Sequence, residues 1–256
     1  MKPLRVAARL IRDTSRKVVL GYPCGGSVTV PFHASVLRLL WHESAKSDRD
    51  RLLTRVFHAS GLYVGDNRQL IVERFLKTDA DWLLMVDTDI EFQPELLGQV
   101  LGFADKDRRV IAANVPLGTA YPTVAFRRTE DPGVWECLPA MPHDVDLVEC
   151  DAVATAVFLC HREVFETIAA EHGQCWFHHM YLPASPVGTP PPDFKFRAIG
   201  EDIAFCIRAK RAGFSIYTAR VPGLKHHKVT PYSEDYSHAT EPALFDSGMG
   251  ELVAEG

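Results

Sequence analysis

The chain has 256 residues, 46% of them hydrophobic, a size and composition that suit one large α/β domain or two small ones with a full core. Its net charge of −5 argues against a broad basic surface for nucleic-acid backbones, and no stretch is long and apolar enough to span a bilayer. The N-terminus is basic (Lys2, Arg5, Arg9, Arg12, Arg16), but no apolar run follows it; a secretory signal is not expected and the reading is cytoplasmic.

In chain order, Lys17-Val18-Val19-Leu20-Gly21-Tyr22 predicts a first buried strand, stopped by the turn sequence Pro23-Cys24-Gly25-Gly26. A helix follows, with Pro31 at its first position and Val36, Leu37, Leu39, Leu40 and Trp41 along it. Residues 50–66 hold a strand and a connection around Leu52, Leu53, Val56 and Phe57. Asp66 and Gln69 stand in capping-box spacing for a helix whose apolar face is Leu70, Ile71, Phe75 and Leu76. Trp82-Leu83-Leu84-Met85-Val86 is continuously apolar, as a strand covered on both faces of a parallel sheet must be. A helix from Pro94 buries Leu96, Leu97, Val100 and Leu101, and 109–113 is the next strand. Strand and helix thus alternate through the first half, the pattern of a parallel α/β sheet.

The second half is less regular. Residues 124–126 and 135–138 read as short strands around Asp131-Pro132-Gly133, 153–160 as one strand, and 163–170 as a helix with Val164, Phe165 and Ile168 inward. The segment 182–198, rich in proline and glycine, reads as a long loop. Residues 200–212 form a helix stopped by Gly213, and 214–218 a last strand. From residue 228 the chain is polar, a lid or a disordered tail. The six cysteines lack C-x-x-C spacing, so neither a disulfide framework nor structural zinc is expected, and Cys160 and Cys206 read as buried thiols.

Asp87-Thr88-Asp89 is the sharpest chemical feature. Open α/β sheets bind ligands beyond the carboxyl ends of their strands, and two carboxylates one residue apart at such an end can share a hard cation. A cation there would neutralise charge developing on a leaving diphosphate. The competing reading is a turn whose aspartates cap the next helix. A phosphatase of the haloacid-dehalogenase kind also carries D-x-D after an apolar strand, but that strand usually opens the chain, whereas this one follows a long α/β stretch.

Gly65-Asp66-Asn67-Arg68, Trp82 through Ile90 and Pro94-Glu95-Leu96-Leu97 together resemble the nucleotide-sugar half of family-2-type GT-A glycosyltransferases, small bacterial and bacteriophage members above all. Gly200-Glu201-Asp202, Ala212-Gly213-Phe214 and His226 resemble the acceptor half. The resemblance implies an α/β, GT-A (Rossmann-like) fold: a mixed, mostly parallel sheet flanked by helices. It implies one domain over 1–227, with a nucleotide-sugar half at about 17–115 and an acceptor half at about 116–227. It implies a hexosyltransferase-like enzyme that uses Mn²⁺ or Mg²⁺ and a UDP- or GDP-linked sugar; inversion of the anomeric centre is preferred, with retention as the alternative that the sequence leaves open. The acceptor is left open among a saccharide, a protein and a modified nucleic-acid base.

By the same resemblance Asp202 is the base, Glu201 positions acceptor or base, and Asp87, Asp89 and His226 hold the metal, with His227 as competitor to His226. Donor contacts fall to Pro23, Gly25, Asn67, Arg68, Asp87 and Thr88, with Arg68 forking onto phosphate. His178-His179 fit a surface role. Ala154-Thr155-Ala156 stands where relatives often carry glycine, and Lys225-His226-His227-Lys228 is more basic than in relatives. A nucleotidyltransferase using the same carboxylates and a non-catalytic nucleotide-sugar-binding module are the alternatives.

Overall fold

The computed structural model describes residues 16–115, 123–130, 134–183 and 196–227. In chain order these form β1 (Val18–Cys24), α1 (Val30–Ser44), β2 (Leu53–Ser60), α2 (Val64–Leu76), β3 (Trp82–Val86), β4 (Ile90–Glu91), α3 (Leu96–Leu101) and β5 (Val110–Ala113). There follow β6 (Ala125–Arg128), β7 (Trp135–Cys137), β8 (Leu147–Cys150), β9 (Ala152–Val153), β10 (Val157–His161), α4 (Arg162–His172), β11 (Met180–Pro183), β12 (Phe196–Ile199), α5 (Glu201–Arg211), β13 (Ile216–Ala219) and β14 (Lys225–His226).

Seven strands make the central sheet in the order β2-β1-β3-β10-β5-β13-β8. Pairs β1/β2, β1/β3 and β5/β13 are parallel; β10 lies antiparallel between β3 and β5, and β8 closes the far edge antiparallel to β13. The result is a mostly parallel, Rossmann-like α/β sheet.

The two-residue period of the strands sorts the core into two layers. Val18, Leu20, Leu84, Val86, Ile111 and Leu159 face α1 and α3 through Phe32, Leu39, Leu97 and Val100. Val19, Leu83, Met85, Ala112 and Phe158 face α2, α4 and α5 through Ile71, Phe75, Phe165 and Phe205. Gly21 belongs to the second layer, where a Cβ would lie 2.5 Å from the Ile71 side chain; a glycine there lets α2 close onto β1. Cys160 and Cys206 are buried thiols as expected, and burial pushes both thiols up from their ordinary range.

Several expectations are corrected. Helix α1 starts one residue before Pro31: Val30 leads, and Thr29 caps by accepting from Phe32 N–H at 3.3 Å. Leu37, Leu40 and Trp41 point outward, and Phe32, Ser35, Leu39 and Glu43 are the buried face. The Asp66–Gln69 capping box does not form. Helix α2 starts two residues earlier, at Val64, and the Gln69 amide donates to Gln174 O at 2.8 Å. Leu70 is exposed and Val72 is buried in its stead.

The single strand expected over 153–160 is two, β9 and β10. They are parted at Ala154-Thr155-Ala156, whose polar groups bond Val124, Asp202 and Asp87 instead of a ladder. The loop 182–198 is paired at its ends as the β11/β12 ladder, with 184–195 outside the described residues. The turn 131–133 and the tail from 228 also lie outside them.

Candidate active site

Strands β1 and β3 run parallel, so the turn after Cys24 and Asp87-Thr88-Asp89 leave the same edge of the sheet. The two loops are laced together. Thr29 donates to Thr88 O from its N–H (3.0 Å) and its hydroxyl (3.1 Å), and the Thr88 hydroxyl donates to Ser27 O at 3.2 Å. Beside this lacing opens a cleft of about 500 Å³ lined by Pro23, Gly25, Ser27, Thr29, Val64, Asp87, Thr88, Asp89 and His227. Pro23, Gly25, Asp87, Thr88 and Asp89 thus meet at one opening, at the strand ends where the sheet's geometry favours a ligand.

Arg68 joins this cleft to the start of α5. Its side chain is only 3% exposed. Nη2 donates to both Asp87 oxygens, at 2.9 and 3.2 Å, and Nη1 donates to Glu201 Oε1 at 2.8 Å and Asp202 Oδ1 at 2.7 Å. An isolated buried charge costs several kcal/mol, so the guanidinium persists only because carboxylates surround it. Burial works against its charge, but Asp87, Asp202 and Glu201 outweigh that and push its pKa up. Arg68, expected to fork onto a phosphate, has its terminal nitrogens on carboxylates. Burial also raises the Asp87 carboxyl; Arg68 opposes that rise, and Asp202 and Asp89 add to it.

Asp202 is held from two further directions. Oδ1 accepts from the Thr155 hydroxyl at 2.5 Å, and among the described residues Oδ2 accepts only the longer bond from Thr155 N–H at 3.3 Å. Oδ2 therefore keeps capacity for another donor, and a quarter of the side chain is exposed. Thr155 stands opposite the strand mouth because Asp87 N–H donates to Ala156 O at 2.8 Å, which seats 154–156 beside the D-x-D loop. Glu201 is pressed close to α2: a Cβ on Gly65 would lie 2.8 Å from Phe177 O and 3.3 Å from Glu201 Cβ.

Asp89 and His226 meet through a small sheet in which β14 pairs antiparallel with β4, setting His226 opposite Ile90. His226 Nε2 lies 2.9 Å from Asp89 Oδ2, and His226 Nδ1 is buried with no hydrogen-bond partner among the described residues. His227 Nε2 turns instead to Glu91 Oε2 at 2.8 Å, and Lys225 Nζ donates to Glu91 Oε1 at 3.2 Å. Among the described residues, no three His, Cys, Asp or Glu side chains converge as a ready-made metal cluster. The expected trio is divided, with Asp89 on His226 and Asp87 on Arg68.

The donor set still fits a hard divalent cation. Two adjacent ligands of an octahedral ion, each about 2.1 Å from it, stand about 3 Å apart. That is close to the Asp89–His226 separation of 2.9 Å. Asp87, Glu201 and Asp202 also outnumber the one guanidinium among them, which leaves the site net negative.

Asn67 is buried, and its amide donates to Cys24 O at 3.2 Å and Gly61 O at 3.4 Å, tying the ends of β1 and β2 to α2. This tie is what the structure shows at the residue expected to touch the donor. His178 and His179 are exposed, in line with a surface role. Sequence reasoning gave no part to Thr155 or to the phenylalanine carbonyl against Gly65. The break in apolar periodicity at 154–156 was the signal for Thr155.

No protein-family profile and no curated protein matches this chain. Among solved structures, the crystal structure of A197 from STIV aligns with a TM-score of 0.51 at 18% identity, covering 84% of this chain and 86% of that one. This likeness is one of fold. A glycosyltransferase involved in the glycosylation of the major capsid of PBCV-1 aligns with a TM-score of 0.35 at 11% identity, covering 59% of this chain and 62% of that one, too distant to carry an argument. No helix of the described residues is long and apolar enough to cross a membrane.

Proposed function

We propose that this chain is a metal-dependent glycosyltransferase of the GT-A type, one domain over residues 1–227, moving a sugar from a UDP- or GDP-linked donor to an acceptor hydroxyl with inversion. The observation that carries this reading is the meeting of Asp87, at the end of β3, with Asp202, at the start of α5, on one guanidinium beside an open cleft. A strand-end carboxylate suits the diphosphate side of the reaction and a helix-start carboxylate the acceptor side.

In this reading the acceptor oxygen attacks the anomeric carbon as the bond from that carbon to the phosphate oxygen breaks, and the bonding pair leaves on the nucleoside diphosphate. The acceptor proton passes to Asp202 Oδ2, the oxygen with the weaker existing bond. Glu201, beside it, orients the acceptor. Asp89 and His226, with Asp87, would hold Mn²⁺ or Mg²⁺, which supplies positive charge to the departing diphosphate. Pro23, Gly25 and Thr88 form the wall for the nucleotide.

The test begins with thermal shifts for UDP and GDP with and without Mn²⁺, since a ligand that binds the native state raises its melting temperature. The responding nucleotide's sugars are then assayed for release of nucleoside diphosphate. Asp89→Ala is expected to abolish metal-dependent turnover with the fold intact, and Asp202→Asn to lose transfer while keeping donor affinity. Release of pyrophosphate from a nucleoside triphosphate would make the chain a nucleotidyltransferase instead, and donor binding without turnover on any acceptor would make it a binding module.

A further inference from the structure

We propose that Arg68 is a positioning residue that locks the acceptor-activating carboxylate and the strand-end carboxylate into one rigid array. The idea rests on the transferase reading for its meaning, but its geometry stands alone. The two Nη atoms bond carboxylates from two elements distant in sequence: Asp87 after β3, and Glu201 and Asp202 at the start of α5. Among the described residues, the hydrogen bonds of the two Nη atoms all go to carboxylates, and the buried Nε–H has no partner. The guanidinium is therefore placed for its fork and not for every donor it carries. With its side chain only 3% exposed it is out of reach of a substrate, so it acts through the carboxylates it holds.

The geometry needs a planar fork. A lysine brings one compact ammonium on a flexible stem and cannot bond Asp87 on one side while bonding Glu201 and Asp202 on the other with the same fixed angle. Without the fork, the Asp87 backbone N–H still bonds Ala156 O just before β10, and Asp202 stays tied to Thr155. Asp202 keeps its anchor while the Asp87 carboxylate loses the bonds from Arg68, so the distance between the two is no longer set. Displacement of a reacting group by about 1 Å costs on the order of 100-fold in rate.

The decisive variant is Arg68→Lys, which keeps the positive charge that three carboxylates require. Arg68→Gln serves as a harsher comparison, read only if it folds. In Arg68→Lys, kcat is expected to fall about 100-fold with donor affinity close to wild type. Added guanidinium ion is expected to restore part of the turnover of Arg68→Ala, which an effect on folding alone would not do. A crystal structure of Arg68→Lys is expected to place the Asp87 and Asp202 carboxylates in altered or multiple rotamers. Carboxylates at wild-type positions in that structure overturn the proposal whether or not a transferase activity has been found. Wild-type kcat in Arg68→Lys overturns it while leaving the transferase reading in place. An inactive wild type with displaced carboxylates in the variant removes the transferase reading and leaves the positioning role.

Discussion

Thr155 donates its hydroxyl to Asp202 Oδ1 across 2.5 Å and its backbone N–H to Oδ2 of the same carboxylate across 3.3 Å. The side chain is fully buried, so Val can take its space without the hydroxyl. A hydrogen bond to a charged group contributes about 1.5–3 kcal/mol, of which part bears on how the carboxylate is aimed. Thr155→Val is expected to lower kcat about 10-fold with donor affinity unchanged, and Thr155→Ser to stay near wild type. Steady-state kinetics with calorimetric donor titration checks this; equal losses in Val and Ser variants would remove the hydroxyl from the argument.

His226 and His227 are neighbours with separate partners, Asp89 for the first and Glu91 for the second. In the proposed reading it is His226, 2.9 Å from Asp89, that shares the cation with it. The thermal shift given by Mn²⁺ with nucleoside diphosphate should therefore vanish in His226→Ala and persist in His227→Ala. The reverse pattern would transfer the ligand role to His227.

Gly65 carries a packing restriction in the first turn of α2. An added methyl would meet Phe177 O at 2.8 Å, which is backbone, and Glu201 Cβ at 3.3 Å. Overpacking of this kind costs about 1–3 kcal/mol. Gly65→Ala should lose that much in urea unfolding and lose turnover as well, because the clash displaces the Glu201 end of α5. A stable variant with reduced stability but full turnover would separate the packing from the site.

The fold was legible where periodicity was strong. Trp82-Leu83-Leu84-Met85-Val86 reads as a doubly covered strand, and it lies inside the sheet between β1 and β10 with all five residues buried. Helix starts were less legible: Asp66 and Gln69 have capping spacing, yet tertiary contacts of Gln69 with Gln174 and the earlier start at Val64 decide the end of α2. In the site, the sequence brought out Asp87 and Asp89 as carboxylates at a strand end, and the family resemblance added Asp202 and His226. It could not reveal that Arg68, 19 residues before Asp87 and more than 130 before Asp202, is consumed by both. Long-range ion pairing leaves no periodic mark in one chain. The pairing of β4 with β14 was hidden for the same reason, since two-residue strands have no period to read.

Glu43 offers a test of stability independent of the site. It is 2% exposed near the end of α1 and accepts from the backbone N–H groups of Leu52 (2.8 Å) and Leu53 (3.1 Å), with Lys46 Nζ also donating to it. Burial pushes its carboxyl up, but Lys46 and the two amides together pull it down further, so the net shift is below the ordinary 4.5. A carboxyl lowered on folding stabilises the native state above its unfolded pKa, and that contribution is lost as pH falls through the lower, folded value. Glu43→Gln keeps the shape but turns an amide donor toward groups that also donate. At pH 7 it should be less stable by about 1–3 kcal/mol in urea unfolding. The gap should narrow as the pH is taken below 4.5, where the unfolded wild type takes up its proton before the native state does. A gap that stays constant from pH 7 to pH 3 would mean that the carboxylate's charge contributes nothing and that only the shape of the side chain matters there.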